Sequence, residues 1–217
     1  MRQCQIADPT RLRRHPERGT HDADTVYAIL DALPLCHIAW NDGGHPRQLM
    51  TAHWREGDTL YIHGGRGSSA LKALAEGAEA CVAVASFDGL VLARSAFSTS
   101  VNYRSALLFG HFHSVEEPVA KLARLEAFFE RLLPGRWAEI RPPTPQELAA
   151  TYVLGLPLTQ AVAKVRSGPP QDDAGEDQSI WAGERPLQAL WGKPIADPES
   201  LSLALPQSLA AGAVEMS

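Results

Sequence analysis

The chain has 217 residues, 45% apolar and 21% charged, with 17 Gly, 16 Pro and a formal net charge of −5; this suits one globular domain or a domain with a tail, and excludes a wholly disordered chain. No apolar run approaches the roughly 20 residues of a membrane span, and the first 20 positions hold five Arg without a signal-like apolar stretch, so a cytoplasmic protein with no membrane partner is expected. Twenty Lys and Arg against 25 Asp and Glu leave no basic excess to neutralise phosphates, so nucleic acid is not an expected partner and a small molecule is.

In chain order, Val26, Ile29, Leu30 and Leu33 recur at helical spacing and predict a helix over 22–33, which Pro34 ends. Short strands joined by tight turns follow: 35–41, the Asp42-Gly43-Gly44 turn, 47–55, the Glu56-Gly57-Asp58 turn, and 59–63, an antiparallel meander. A glycine-rich connection, Gly64 to Gly67, leads to a short helix over 68–76. The run 80–87 of small and β-branched residues predicts a strand buried on both faces, with a hairpin at Asp88-Gly89 and renewed pairing over 90–94. Residues 103–115 alternate and predict a long sixth strand. The clearest helix covers 117–133, with Pro118 in its first turn and Val119, Leu122, Leu125, Phe129 and Leu132 on one face. Pro142, Pro143 and Pro145 precede a brief helix around 146–151, and 152–158 and 161–166 supply strand or irregular structure. Residues 167–179 read as a polar acidic loop, 181–190 as ordered, and 201–217 as a frayed end. The domain therefore spans 22–190, between an N-terminal arm (1–21) and a tail (191–217).

The segment 59–74, TLYIHGGRGSSALKAL, places two hydroxyls, a guanidinium and a lysine at a helix start. Unpaired N–H groups there, with Arg66, Ser68, Ser69 and Lys72, make a phosphate pocket or, on the plainer reading, a capped helix with solvated charges. A P-loop is excluded because GxxxxGK[ST] does not occur. Gly65-x-Gly67-x-x-Ala70, with Asp88 downstream, meets a loose dinucleotide fingerprint, but hairpin-linked strands do not make the alternating units of that fold. His111 and His113 alternate on a strand without a third ligand, and Cys4, Cys36 and Cys81 are odd in number and widely spaced, so no metal site is expected.

Five ordered motifs carry a resemblance: LYIHGG (60–65), DGLVLARSAF (88–97), VNYRSALLFG (101–110), AKVRSGPP (163–170) and WAG (181–183). With these, the chain resembles the pyridoxamine 5′-phosphate oxidase-like FMN-binding split barrels, in particular the branch that includes nitroimidazole-resistance proteins. The resemblance implies a mainly β fold, a six-stranded antiparallel split barrel with flanking helices, and a homodimer holding FMN between subunits. It implies that Thr51, Ala52 and His53 line the isoalloxazine ring, that His63 and Gly64 lie beside the ribityl-phosphate, and that the turn from Ser68 to Lys72 faces the phosphate. Arg104 and Ser105 resemble an Arg-Gln pair that reaches the flavin, Trp181 a Trp that closes over it, and Arg185 more weakly an Arg that follows. Ser68-Ser69 stands where relatives carry Ser-Arg, so the missing guanidinium is replaced by Arg66, by Lys72, or not at all. Only Arg185-Pro186-Leu187 stands where the oxidases have Arg-Leu-x-x-Arg, which argues against vitamin B6 oxidase activity.

Asn102, Tyr103, Lys164 and Arg166 are candidate substrate contacts, Lys164 and Arg166 converging with Arg104 near the ring to attract an anionic substrate or a nicotinamide donor. The expectation is an FMN-dependent oxidoreductase in which flavin N5 exchanges hydride and the protein supplies position and electrostatics. A flavin-binding store or sensor without turnover, and a split barrel using haem or deazaflavin, are the alternatives.

Overall fold

The computed structural model describes residues 8–210. After a short arm come β1 (Gly19–Thr20), α1 (Ala23–Ala32), β2 (Leu35–Asp42), β3 (His45–Glu56), β4 (Thr59–Gly65), α2 (Ser69–Ala75), β5 (Glu79–Leu92), β6 (Ser100–His111) and β7 (His113–Ser114). There follow α3 (Pro118–Leu132), α4 (Pro145–Ala149), β8 (Thr151–Pro157), β9 (Ala161–Arg166), β10 (Gly183–Pro186) and α5 (Gln207–Ala210). All pairings are antiparallel, in the order β1-β9-β6-β5-β2-β3-β4-β8-β7, with β10 added beside β5. The sheet has ten strands where six were expected, because the arm, the 151–166 hairpin and the segment after Trp181 all find an edge or a partner.

β3 curls the sheet. Its residues 45–52 pair with β2 and 53–56 with β4, so the chain changes partner at Ala52–His53 and folds the sheet over itself. Alternation then turns Ile38, Leu60, Ile62, Val82, Val84, Ala106, Leu108, Leu154 and Leu156 into one interior, all fully buried. Each large aliphatic among them contributes roughly 1.5–3 kcal/mol by leaving water. α1 closes one end with Val26, Ile29 and Leu30; Asp22 caps it by accepting from Thr25 N at 2.9 Å, and Pro34 follows its end.

Five expectations change. The 80–87 strand is buried on one face only, Ala80, Val82 and Val84 inward and Ala85 and Phe87 outward. Asp88-Gly89 is a bulge inside β5 and not a hairpin: pairing with β6 continues through Leu90 and Val91, and β10 occupies the other side. Gly89 has φ +154°, and a Cβ there would meet Arg185 O at 2.6 Å, so its lack of a side chain admits β10. The sixth strand begins at Ser100 and stops at His111, after which Phe112 turns into the core. On α3, Lys121, Leu125 and Phe128 are buried while Val119 and Leu132 face solvent, because the helix docks on an aromatic cluster and not on the barrel's aliphatic interior. The C-terminal segment is not frayed up to residue 210: Ser208 is buried and donates through N and Oγ to Glu139 at 3.0 and 2.5 Å. Residues 211–217, and Cys4, lie outside the described residues.

Candidate functional site

Strand alternation splits β4 between two environments. Leu60 and Ile62 enter the barrel interior, whereas Tyr61 and His63 face α3, together with Trp54 of β3 and Val153 of β8. Trp54 stacks on Tyr61 at 5.6 Å between centroids, and Phe128 lies 5.2 Å from Trp54 and 4.5 Å from His63. α3 is held over this cluster by Arg124, which pairs with Glu56, the same carboxylate that accepts from Trp54 Nε1 at 2.9 Å. Beside the cluster opens a cavity of about 370 Å³ lined by His63, Leu125, Phe129, Trp137, Ile140 and Arg141 among others.

His63 is the chemically distinctive group there. Its Nδ1 is buried without a hydrogen-bond partner among the described residues, and burial pushes its pKa below the ordinary value, so the ring is neutral and carries a lone pair at pH 7. A neutral imidazole in an apolar, aromatic-walled cavity is a ligand for a metal-bearing prosthetic group or a polar anchor for a planar one. At the rim Arg141 makes a two-pronged bond to Glu147, 2.6 and 2.8 Å, which holds the Glu147 carboxyl down at about 2.

The glycine-rich turn between β4 and α2 is built tightly. A Cβ on Gly64 would meet Leu71 Cδ1 at 2.6 Å, so glycine lets α2 lie against the strand. Ser68 caps α2, its Oγ accepting from Leu71 N at 3.3 Å. The cations around this turn are engaged: Arg66 bonds Glu116 at 2.6 Å and lies over the Tyr152 ring, and Lys72 stands 3.8 Å from Glu76, largely in solvent. The plainer reading, a capped helix with solvated charges, describes this geometry.

The sequence model of the pyridoxamine 5′-phosphate oxidase family matches residues 22–165. The chain belongs to that family. Among solved structures, the FAD and heme binding protein from Mycobacterium smegmatis is 38% identical, with a TM-score of 0.87 over 92% of this chain and 98% of that one. A flavocytochrome from Azotobacter vinelandii is 36% identical, with a TM-score of 0.88 over 94% of this chain and 96% of the other. A candidate 5-nitroimidazole antibiotic resistance protein from Bacteroides thetaiotaomicron, at 20% identity and a TM-score of 0.58 over 68% of this chain and 86% of the other, shares the fold. No curated protein matches the chain. The split barrel of the family is thus the architecture of this chain, and flavin is the cofactor class the family carries.

Within that family frame the motif residues fall into separate places. Thr51 and Ala52 are half-buried at the curl of β3, and Ala52 packs against the Trp54 cluster, so it neighbours His63. His53 does not line any open surface: it is 2% exposed and its Nε2 lies 3.2 Å from Leu30 O. Inward alternation at the sheet corner removes it from the ring-contacting set. Arg104 is not an unpartnered cation at a barrel mouth, because Asp88 takes its Nε and Nη2 at 3.0 and 3.1 Å. Burial works against the Asp88 charge, but hydrogen bonds from Arg104 and Ser86 outweigh it and hold its pKa low. That pair forms part of a second cavity of about 610 Å³, with Leu33, Phe87 and Leu187 among its walls.

The three proposed substrate cations do not converge. Arg104 stands opposite Val165, whereas Lys164 stands opposite Ser105, so alternation points Arg104 and Lys164 to opposite faces of the sheet. Lys164 Nζ donates to Arg14 O at 2.8 Å, and Arg166 binds Asn102, itself bonded to Glu184 at 2.6 Å. Tyr103 is half-buried, and Ser105 Oγ donates to Lys164 O at 3.3 Å. Trp181 stands in solvent, 68% exposed, its ring edge over Gly183. Sequence reasoning missed the wall of the His63 cavity, Phe129, Trp137, Ile140 and Arg141. The available signal was the Tyr61/His63 alternation, whose outward face needed a partner that the aromatic end of α3 supplies.

Proposed function

We propose that this protein is a flavin- and haem-binding redox protein that works as a homodimer, with His63 as the protein ligand in a haem cavity beneath α3. The observation that carries it is the neutral imidazole of His63 on the wall of an aromatic-lined cavity, in a chain 38% identical to a FAD and heme binding protein. The residues fit such a group: an imidazole lone pair for the iron, and Leu125, Phe129, Trp137 and Ile140 for the macrocycle. When bound, haem carries single electrons and flavin carries hydride or single electrons. The protein's own part is to keep His63 neutral, to exclude water with the aromatic wall, and to set both groups close together.

Thr51 and Ala52, on the curl of β3 beside the Trp54 cluster, are the proposed seat of the flavin ring, with the turn from Gly64 to Ser69 at its phosphate end and Trp181 of a second copy over it. A second copy has a surface to meet: Leu35, Met50 and Phe87 are exposed on the outer sheet face, with His37, Ala83 and Ala85 between them. FAD is preferred over FMN in this reading, because Glu116 and Tyr152 already hold Arg66 and only Lys72, largely in solvent, is left for a terminal phosphate. A small molecule or a nicotinamide nucleotide supplies the electrons.

The deciding test adds hemin to the purified protein and to His63→Leu. The wild type is expected to develop the sharp, red-shifted Soret band of an imidazole-ligated haem, and the variant to lose it with at least a ten-fold weaker affinity. A variant that binds and absorbs like the wild type refutes the assignment. Calorimetric titration with FAD and FMN measures the flavin preference, and anaerobic mixing with NADH or NADPH measures whether the bound flavin is reduced.

A further inference from the structure

We propose that residues 187–206 form a strap that embraces a second copy of this chain; the inference rests on the homodimer reading and goes on to assign what holds the dimer. The segment is tied to its own subunit at both ends. Leu187 N donates to Asp88 O at 2.9 Å, and Ser208 is clasped by Glu139. Between these ties its backbone bonds among the described residues are local, Ser200 N to Asp197 O and Leu203 N to Ser200 O. Pro194, Pro198 and Pro206 restrict the backbone to extended and turn conformations, so the strap holds a shape without a sheet or helix to support it.

That unsupported segment carries a dense apolar load. Leu190, Trp191, Ile195, Leu201, Leu203 and Leu205 are between 59 and 95% exposed. Together they give most of their apolar surface to water within one segment of twenty residues. Such a concentration on one extended segment is what a partner covers, not the scattered apolar exposure of an ordinary surface.

The occupant is a second copy for two reasons. The strap holds Lys193 against Asp197 and Glu199, an acidic balance unsuited to a lipid surface, which draws basic segments. Each chain also presents the unpartnered sheet face around Leu35, Met50 and Phe87, and the strap leaves the body beside the Phe87 end of β5, where Leu187 is bonded to Asp88. A twofold arrangement lays the strap of each subunit on the other and covers both apolar surfaces at once. Because Leu187 and Leu190 line the cavity that holds the Asp88–Arg104 pair, seating the strap also shapes that cavity.

Two measurements on the full-length chain test this. Sedimentation over a range of concentration compares the wild type with the triple variant Trp191→Ser, Ile195→Ser, Leu203→Ser, whose sites are exposed in the single subunit and so leave its fold intact by circular dichroism. At least a hundred-fold weaker dimerisation is expected. Trp191→p-benzoylphenylalanine, photolysed in an equal mixture of ¹⁴N- and ¹⁵N-labelled chains, is expected to give mixed-isotope crosslinks. Unchanged dimerisation of the triple variant, or crosslinks confined to one chain, overturns the strap and leaves a dimer formed by the sheet face alone. A wild type that is monomeric throughout overturns the dimer reading itself, and the strap with it.

Discussion

Lowering the pH from 7.5 to 4.5 is expected to unstitch the sheet corner through one buried histidine. His53 sits where β3 changes partner, 2% exposed, with Nε2 against Leu30 O. Burial takes its pKa from 6.5 down to about 4; the bond to Leu30 and the nearby Asp31 oppose the shift, and Arg131 reinforces it. The folded pKa is depressed, so the unfolded chain takes up the proton first. The stability that His53 contributes is complete above pH 6.5, falls as the pH drops below that value, and is exhausted near pH 4. At about 1.36 kcal/mol per pK unit, the loss between pH 7.5 and 4.5 is about 2.5 kcal/mol, a large share of a typical stability of roughly 5–15 kcal/mol. His53→Gln keeps an amide donor for Leu30 O and removes the titration. Urea unfolding at half-unit intervals is the assay, and the wild type is expected to lose about 2.5 kcal/mol more than the variant over that range. The lowered carboxyls of Asp88 and Glu147 weaken the fold only at still lower pH, and His63 titrates in both proteins, so the difference isolates His53. Parallel stability curves for the two proteins would refute the reasoning.

Trp54→Ala removes the centre of the aromatic cluster beneath α3, and a cost of about 3–5 kcal/mol in chemical denaturation is expected; it should also open the His63 cavity to water, read as loss of Phe and Tyr near-ultraviolet dichroism. Gly89→Ala drives a methyl group into Arg185 O, and hydrogen exchange at the amides of residues 183–187 should accelerate while exchange in β2 and β4 stays slow. Asp88→Asn leaves Arg104 with a weaker acceptor and should cost about 1 kcal/mol at pH 7, discounted for a pair partly open to solvent, a cost that shrinks only as acid overcomes the Arg104 and Ser86 bonds that hold the wild-type carboxyl low.

The α1 helix, the β2–β3–β4 meander and its turns, and the helix after Glu117 are all written in local pattern: apolar residues at helical spacing, Asp42-Gly43-Gly44 and Glu56-Gly57-Asp58 between strands, Pro34 and Pro118 at helix boundaries. Such signals act over a few residues, so they survive without knowledge of the rest of the chain. The motifs around Leu60 to Gly65 and Val101 to Gly110 likewise sufficed for the family, whose split barrel the chain adopts. What pattern does not carry is partnership across the fold. Arg66, Arg104, Lys164 and Arg166 look alike as cations in a string of letters; their meaning changed once Glu116, Asp88, the Arg14 carbonyl and Asn102 were found beside them, between 16 and 150 positions away. The same holds for the two histidines of the meander. His53 and His63 both follow alternating runs, but the curl of β3 sends one against the end of α1 and leaves the other facing α3 on the wall of a cavity. Alternation decides that neighbouring residues point to opposite sides of a strand. Only the curvature of the closed sheet decides which side is packed with aliphatics and which opens into a cavity.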